Sequence, residues 1–125
     1  RPRPDGRTLA QTVAGLRGAH PDVLVMADCG SLGDAKEAVA AGVDVLGTTL
    51  AGYTGERPRT EGPDWEVVDQ IVGLDARPVF VEGRVHSPEQ AGEAMRRGAH
   101  AVVVGTAITH PTTLTRWFAD AVAQA

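Results

Sequence analysis

A four-point repeat constrains this chain more than any other feature. Ala35, Glu37, Ala38 and Gly42 recur as Ala91, Glu93, Ala94 and Gly98. A short apolar segment ending in Gly47-Thr48 follows the first set, and one ending in Gly105-Thr106 follows the second. Upstream, Asp28 and Glu82 hold matching positions at the ends of apolar runs. The unit therefore reads strand, acid, helix, glycine, strand, Gly-Thr. Strands alternating with helices at this spacing specify βα units and a parallel sheet.

Taken in order, residues 1–7 are polar, with two prolines and a glycine, and read as loop. Residues 8–18 place Leu9, Val13 and Leu16 at helical spacing. Residues 23–27 read as a strand running into Asp28, Cys29 and Gly30. Ser31 or Asp34 can cap a helix through Lys36, Glu37 and Ala41, closed by Gly42. Residues 43–47 are the next strand. Residues 48–64 are long for a βα loop, and such loops in compact domains are usually functional or disordered. Residues 65–74 form a helix with Val67, Val68, Ile71 and Val72 apolar. Residues 79–82 are a strand, 88–97 a helix stopped by Gly98, and 101–104 the last strand. A final helix starts at Pro111 or Thr112 and runs through Trp117 and Phe118. Four parallel strands cannot close an eight-stranded barrel alone. The 125 residues amount to about half of a roughly 250-residue barrel. The opening RPRPDGR resembles the middle of a loop, so the expectation is a piece of something longer.

The stretch VFVEGRVHSP, residues 79–88, concentrates the chemistry. Its apolar run puts Glu82 at the C-terminal end of a buried parallel strand, the end where such folds bind ligands. Ser87 offers an N-cap, Pro88 the first helical position and Glu89 a negative charge in the first turn. The alternative is an acid that caps a loop beside a solvated Arg84. Strand ends alternate between an acid (Asp28, Glu82) and Gly-Thr (Gly47-Thr48, Gly105-Thr106). Glycine lets a backbone N–H approach an anion closely. Gly83-Arg84 and Gly105-Thr106 on successive strands match the phosphate site formed after strands 7 and 8 of such barrels. The alternative is that these glycines serve tight turns.

Composition removes several classes. A net charge of -4 and no basic face argue against a nucleic-acid partner. The single cysteine, Cys29, excludes an internal disulfide and fits a reducing compartment. No apolar run reaches membrane-spanning length and no signal peptide is visible, so no membrane partner and a cytoplasmic location are expected. The apolar content of 42% suits a globular core.

The segments MADCGSLGDAKEAVAAGVDVLGTTLAGYT, GPD, VEGRVHSPEQA and VVVGTAIT resemble the N-acylglucosamine-6-phosphate 2-epimerase family, also called N-acetylmannosamine-6-phosphate 2-epimerase. The resemblance spans residues 3–118. It implies an α/β fold, the C-terminal half (about strands 5–8) of a TIM (β/α)8 barrel, with residues 1–125 as that half. It implies interconversion of N-acetylmannosamine 6-phosphate and N-acetylglucosamine 6-phosphate in sialic-acid and amino-sugar breakdown, with no cofactor or metal. The ligand expected is a phosphorylated N-acetylhexosamine, and the partner either another copy or a missing N-terminal half.

The resemblance also assigns residues. Glu82 matches the family's active-site glutamate and Asp28 its strand-end aspartate. Thr48, Thr49, Gly52, Tyr53 and Thr54 match the loop that closes over the sugar. Gly83, Arg84, Gly105 and Thr106 match the phosphate-binding end. The implied chemistry removes the weakly acidic C2 proton beside the C1 carbonyl of the opened sugar and returns a proton to the other face, which needs a positioned acid/base pair. The family's proposed second group is a lysine on a strand of the first half. Lys36, the only lysine here, falls on a helix and reads as a surface residue. The family usually has Arg where this chain has His110, and an imidazole with an ordinary pKa near 6.5 grips phosphate less well at pH 7. His86 reads as a packing residue at a helix start, His20 and His100 as structural groups at helix–strand junctions. Tyr53 is a lid residue or loop packing, and the GYT match favours the lid. Two other readings stand beside the epimerase: a non-catalytic phosphosugar-binding half-barrel, and a different phosphate-binding barrel enzyme, against which GTTLAGYT argues.

Overall fold

The computed structural model describes residues 4–124, so the first three residues of the expected N-terminal loop lie outside the described residues. Ten elements follow in order: α1 (Leu9–Ala19), β1 (Met26–Asp28), α2 (Leu32–Ala40), β2 (Val45–Gly47), α3 (Trp65–Val72), β3 (Val79–Glu82), α4 (Pro88–Arg96), β4 (Ala101–Val103), α5 (Thr106–Thr109) and α6 (Pro111–Ala123). The strands form one parallel sheet in the order β1-β2-β3-β4. Sequential order with a helix between neighbours is the arc of a (β/α) barrel.

Local chemistry sets the helix starts. The Thr8 hydroxyl accepts the Gln11 N–H at 3.2 Å, and the Gln11 side chain accepts the Thr8 N–H at 2.9 Å, a reciprocal cap on α1. Of the two caps the sequence offers for α2, Ser31 takes the role by accepting the Asp34 N–H. Asp34 instead accepts the Gly30 N–H at 2.8 Å, which fixes the turn out of β1. Ser87 caps α4, with Pro88 in its first turn. The repeat therefore has a structural meaning. Both copies are a serine-capped helix whose Ala38 or Ala94 is fully buried against the sheet.

The helices cover one face of the sheet. Val79 and Val81 of β3 point into that layer and are buried, while Phe80 and Glu82 alternate to the other face and are half-buried. Leu46 of β2 is buried with Val43, Val67, Ile71 and Val79. Val81 packs with Val68, Val85, Ala94 and Ala99. Fully burying a Val, Leu or Ile side chain contributes roughly 1.5–3 kcal/mol, so these two clusters carry most of the fold. The opposite, concave face bears Met26, Asp28, Gly47, Phe80, Glu82 and Val103 by register, and Met26 and Val103 are exposed.

Several boundaries differ from expectation. β1 begins at Met26 rather than at residue 23, because the Asp44 carboxylate takes the Val25 N–H at 2.8 Å and the Val25 carbonyl turns to Asp44 and Val45. Arg17 holds Asp44 in place at 2.7 Å. β2 likewise starts at Val45, and β4 stops at Val103. A further difference is α5, one helical turn that the sequence reading leaves as loop. Four residues show no periodicity, and Pro111 marks the next start more strongly.

Candidate active site

Three strand ends converge on one hydroxyl. Asp28 closes β1, Glu82 closes β3, and Thr49 lies two residues beyond β2. Gly47 pairs with Asp28 on one side and with Phe80 on the other, so Thr49 falls level with Glu82. Its Oγ1 lies 3.0 Å from Asp28 Oδ1 and 3.1 Å from Glu82 Oε2. Gly47 makes room for this. A Cβ there would sit 3.1 Å from Asp28 Oδ1, 3.1 Å from Met26 Cε and 3.4 Å from Thr49 Oγ1. Asp28 is exposed, and Thr49 and Glu82 are half-buried, so the cluster opens onto the concave face. Thr48, next in the chain, turns the other way and is buried, with its hydroxyl on the Glu82 backbone.

After Glu82 the backbone adopts positive φ twice, 102° at Gly83 and 57° at Arg84. A non-glycine residue there is uncommon and strained. Arg84 is held by its side chain: Nε donates to the Gly62 carbonyl at 3.0 Å, Nη1 to the Ala51 carbonyl at 2.9 Å and Nη2 to Thr60 Oγ1 at 3.2 Å. Its guanidinium also lies 5.2 Å from the Tyr53 ring centroid. Arg84 is thus the bolt of the 48–64 loop as well as a cation at the strand end. Arg59 sits over the same ring at 5.2 Å, a cation the sequence reading does not single out. Tyr53, Arg59, Arg84, His86, Thr106 and Trp117 line one cleft of about 550 Å³.

The loop's far end is pinned by Arg57, which meets Asp64 at 2.6 Å and Glu66 at 2.7 Å. Asp64 in turn caps α3 by accepting the Val67 N–H. Burial pushes the Asp64 carboxyl up, but Arg57 and the Val67 N–H outweigh it, and the group titrates below its usual value. Gly52 has φ 79°, and a Cβ there would lie 2.9 Å from Arg59 Cα. The loop therefore crosses itself where Gly52 passes under Arg59. Thr54 packs against Gly30, and its buried hydroxyl has no hydrogen-bond partner.

At β4 the Gly105 carbonyl accepts the Ile108 and Thr109 N–H groups and starts α5. Gly105 and Thr106 are exposed. His110 caps α6: Nδ1 accepts the Thr113 N–H at 3.3 Å and lies 2.6 Å from Thr113 Oγ1. His86 meets the Trp117 ring at a tilt of 50°, with centroids 4.6 Å apart. Partial desolvation, and then the charge of Arg84, lower its pKa. His20 caps the end of α1, His100 stacks on Phe80, and Lys36 is exposed on α2. Asp28, Thr49 and Glu82 thus form one cluster, and Tyr53, Arg84 and Thr106 share one cleft. Gly83 joins the two, Thr48 and Thr54 stand apart from both, and His110 reaches the cleft only through Thr113.

A separate cavity of about 650 Å³ lies between the N-terminal segment and the free edge of β1, lined by Arg7, Leu9, Met26 and Asp28 among others. Among the described residues no group of His, Cys, Asp and Glu is arranged to hold a metal, and no helix is long and apolar enough to cross a membrane.

Residues 1–124 match the protein-family model described as "Putative N-acetylmannosamine-6-phosphate epimerase". A Cutibacterium acnes protein described as "Putative N-acetylmannosamine-6-phosphate 2-epimerase" is 60% identical over 123 residues, which are 97% of this chain and 53% of that protein. A Latilactobacillus sakei protein of the same description is 45% identical over 127 residues, covering 98% of this chain and 54% of that one. The solved structure of the N-acetylmannosamine-6-phosphate 2-epimerase from Clostridium perfringens superposes with a TM-score of 0.89 at 36% identity, over 96% of this chain and 52% of that chain. The chain spans about half the length of the curated relatives it matches.

Proposed function

The chain belongs to the N-acetylmannosamine-6-phosphate epimerase family, and we propose that residues 1–125 are the C-terminal half of a TIM barrel that interconverts N-acetylmannosamine 6-phosphate and N-acetylglucosamine 6-phosphate in the cytoplasm. The observation that carries this reading is the pair of carboxylates, Asp28 and Glu82, meeting at one hydroxyl one residue before the Gly83 turn. A phosphate at Gly83, Gly105 and Thr106, flanked by Arg84 and Arg59, leaves the sugar's C1 and C2 lying towards Glu82.

Glu82 is the proton-handling group. With the sugar opened, the C2–H bond breaks and a Glu82 Oε–H bond forms. The electron pair becomes the C1–C2 double bond, and the carbonyl pair moves onto O1. A proton returned to the opposite face inverts C2. One carboxylate reaches one face, so the second acid/base group comes from the other half of the barrel, where the family resemblance puts a lysine. Asp28 orients a hydroxyl or the C1 aldehyde. Thr48, Gly52 and Thr54 shape the 48–64 loop, Tyr53 closes it over the sugar, and His110 borders the phosphate end from its cap on α6. The exposed concave face and the free edges of β1 and β4 fit the other half-barrel as partner.

The test is exchange in deuterated water. The complete barrel carrying this chain, given N-acetylmannosamine 6-phosphate, should place deuterium at C2 and produce the N-acetylglucosamine epimer by NMR. Binding without exchange would favour a phosphosugar-binding protein. Neither binding nor exchange would sink the reading.

A further inference from the structure

We propose that Thr49 is a positioning residue that lets the Asp28 and Glu82 carboxyls share one proton. A threonine hydroxyl has one proton to give and two lone pairs. Its oxygen lies 3.0 Å from one carboxylate oxygen and 3.1 Å from the other. With both carboxylates ionised, the hydroxyl bonds one and presents a lone pair to the other. With one proton added, both contacts become hydrogen bonds: Glu82 O–H donates to Thr49 Oγ1, and Thr49 O–H donates to Asp28 Oδ1. The bridge thus offers both bonds to the singly protonated pair, the state Glu82 occupies between taking the C2 proton and returning it. Passing the proton to Asp28 breaks the Glu82 O–H and the Thr49 O–H while a new Thr49 O–H and an Asp28 O–H form, so Thr49 ends with one hydrogen as it began.

Arg7, paired with Asp5, and Glu37 line the cavity beside Asp28. Asp28 comes from β1 and Glu82 from β3. Arg84, two residues on, is committed to the loop carbonyls and Thr60. Asp34 of α2 is bonded to the Gly30 N–H. Gly47 keeps the space between Asp28 and Thr49 clear. The catalytic part of the inference rests on the epimerase reading, and the proton sharing does not.

The experiment is carried out on the complete protein with Thr49→Val, which removes the hydroxyl at similar size, and Thr49→Ser, which keeps it. Without substrate, carboxyl-carbon NMR should show Asp28 and Glu82 of the parent titrating together in two shared steps. In Thr49→Val the two steps should draw together, and Thr49→Ser should keep the parent separation. With substrate, Thr49→Val should lower kcat for C2 exchange roughly tenfold with KM within about twofold, and Thr49→Ser should restore it. A parent whose two carboxyls titrate independently overturns the proposal without any variant. So does a Thr49→Val protein with the parent separation, or one that changes KM alone. Shared titration in a parent that exchanges no C2 proton would leave the proton sharing standing and remove the epimerase reading.

Discussion

Thr48 and Glu82 hold each other twice through a single hydroxyl. Thr48 Oγ1 donates to the Glu82 carbonyl at 2.8 Å and accepts the Glu82 N–H at 3.1 Å. Thr48 is only 3% exposed, so water is a poor substitute. The backbone that carries the proposed base is therefore clamped to the end of β2. Thr48→Val should leave both Glu82 backbone groups without that partner and destabilise the protein by about 1–3 kcal/mol, while Thr48→Ser keeps most of the stability. Denaturant unfolding measures this, and an unchanged midpoint in the valine variant would remove the clamp from the account.

Glu82→Gln keeps the side chain's size and its approach to Thr49 but removes the base. In the complete barrel it should slow C2 exchange by on the order of 100- to 10,000-fold with phosphosugar affinity nearly unchanged. Asp28→Asn should weaken binding and turnover together. Exchange at the parent rate in Glu82→Gln would make Glu82 structural.

Gly52 is the crossing point of the 48–64 loop. Gly52→Ala meets both an unfavourable φ of 79° and an Arg59 Cα at 2.9 Å, which is backbone and cannot swing aside. It should cost on the order of 1–3 kcal/mol locally and make the loop more readily cleaved by protease. Resistance equal to the parent's would mean the loop tolerates the shift.

Arg59 faces the cleft with the Tyr53 ring as its contact. Arg59→Gln should weaken phosphosugar binding roughly tenfold at low salt, and the difference from the parent should shrink as salt rises. A titration showing equal affinities would place the phosphate elsewhere.

Acid should release the loop through Asp64. Its folded pKa lies below the usual 3.8, so the unfolded chain binds more protons at acid pH. The stability this group contributes is present above 3.8 and lost as pH falls through its folded value. Asp64→Asn should therefore be less stable than the parent at neutral pH, with the gap closing as pH drops below about 4. A gap constant from neutral pH to acid would show that Arg57 does not depend on the charge of Asp64.

β3 and the serine cap and proline start of α4 were legible in the sequence, and the cap of α2 was narrowed to Ser31 or Asp34, because each rests on neighbours in the chain. The acids at strand ends were legible for the same reason. The Thr49 bridge was not, since it depends on the register that sets Gly47 between Asp28 and Phe80. Arg84 could be read as a cation beside a glycine, but its left-handed backbone and its three acceptors on a distant loop could not. Arg59 lacked any signal beyond a charge in a long loop. Only the crossing at Gly52 brings it to Tyr53.

The two positive φ angles after β3 also act as insulation. Residues two apart in an extended strand share a face, so a straight continuation would lay Arg84 beside Glu82. The acid would then be neutralised by its own near neighbour and held in an ion pair, unfit to pull a proton from carbon. The reversal at Gly83 and Arg84 sends the guanidinium to the 48–64 loop instead, and among the described residues no ion pair joins it to Glu82. Two opposite charges two residues apart in sequence are thereby kept on separate circuits, one for proton transfer and one for closing the loop.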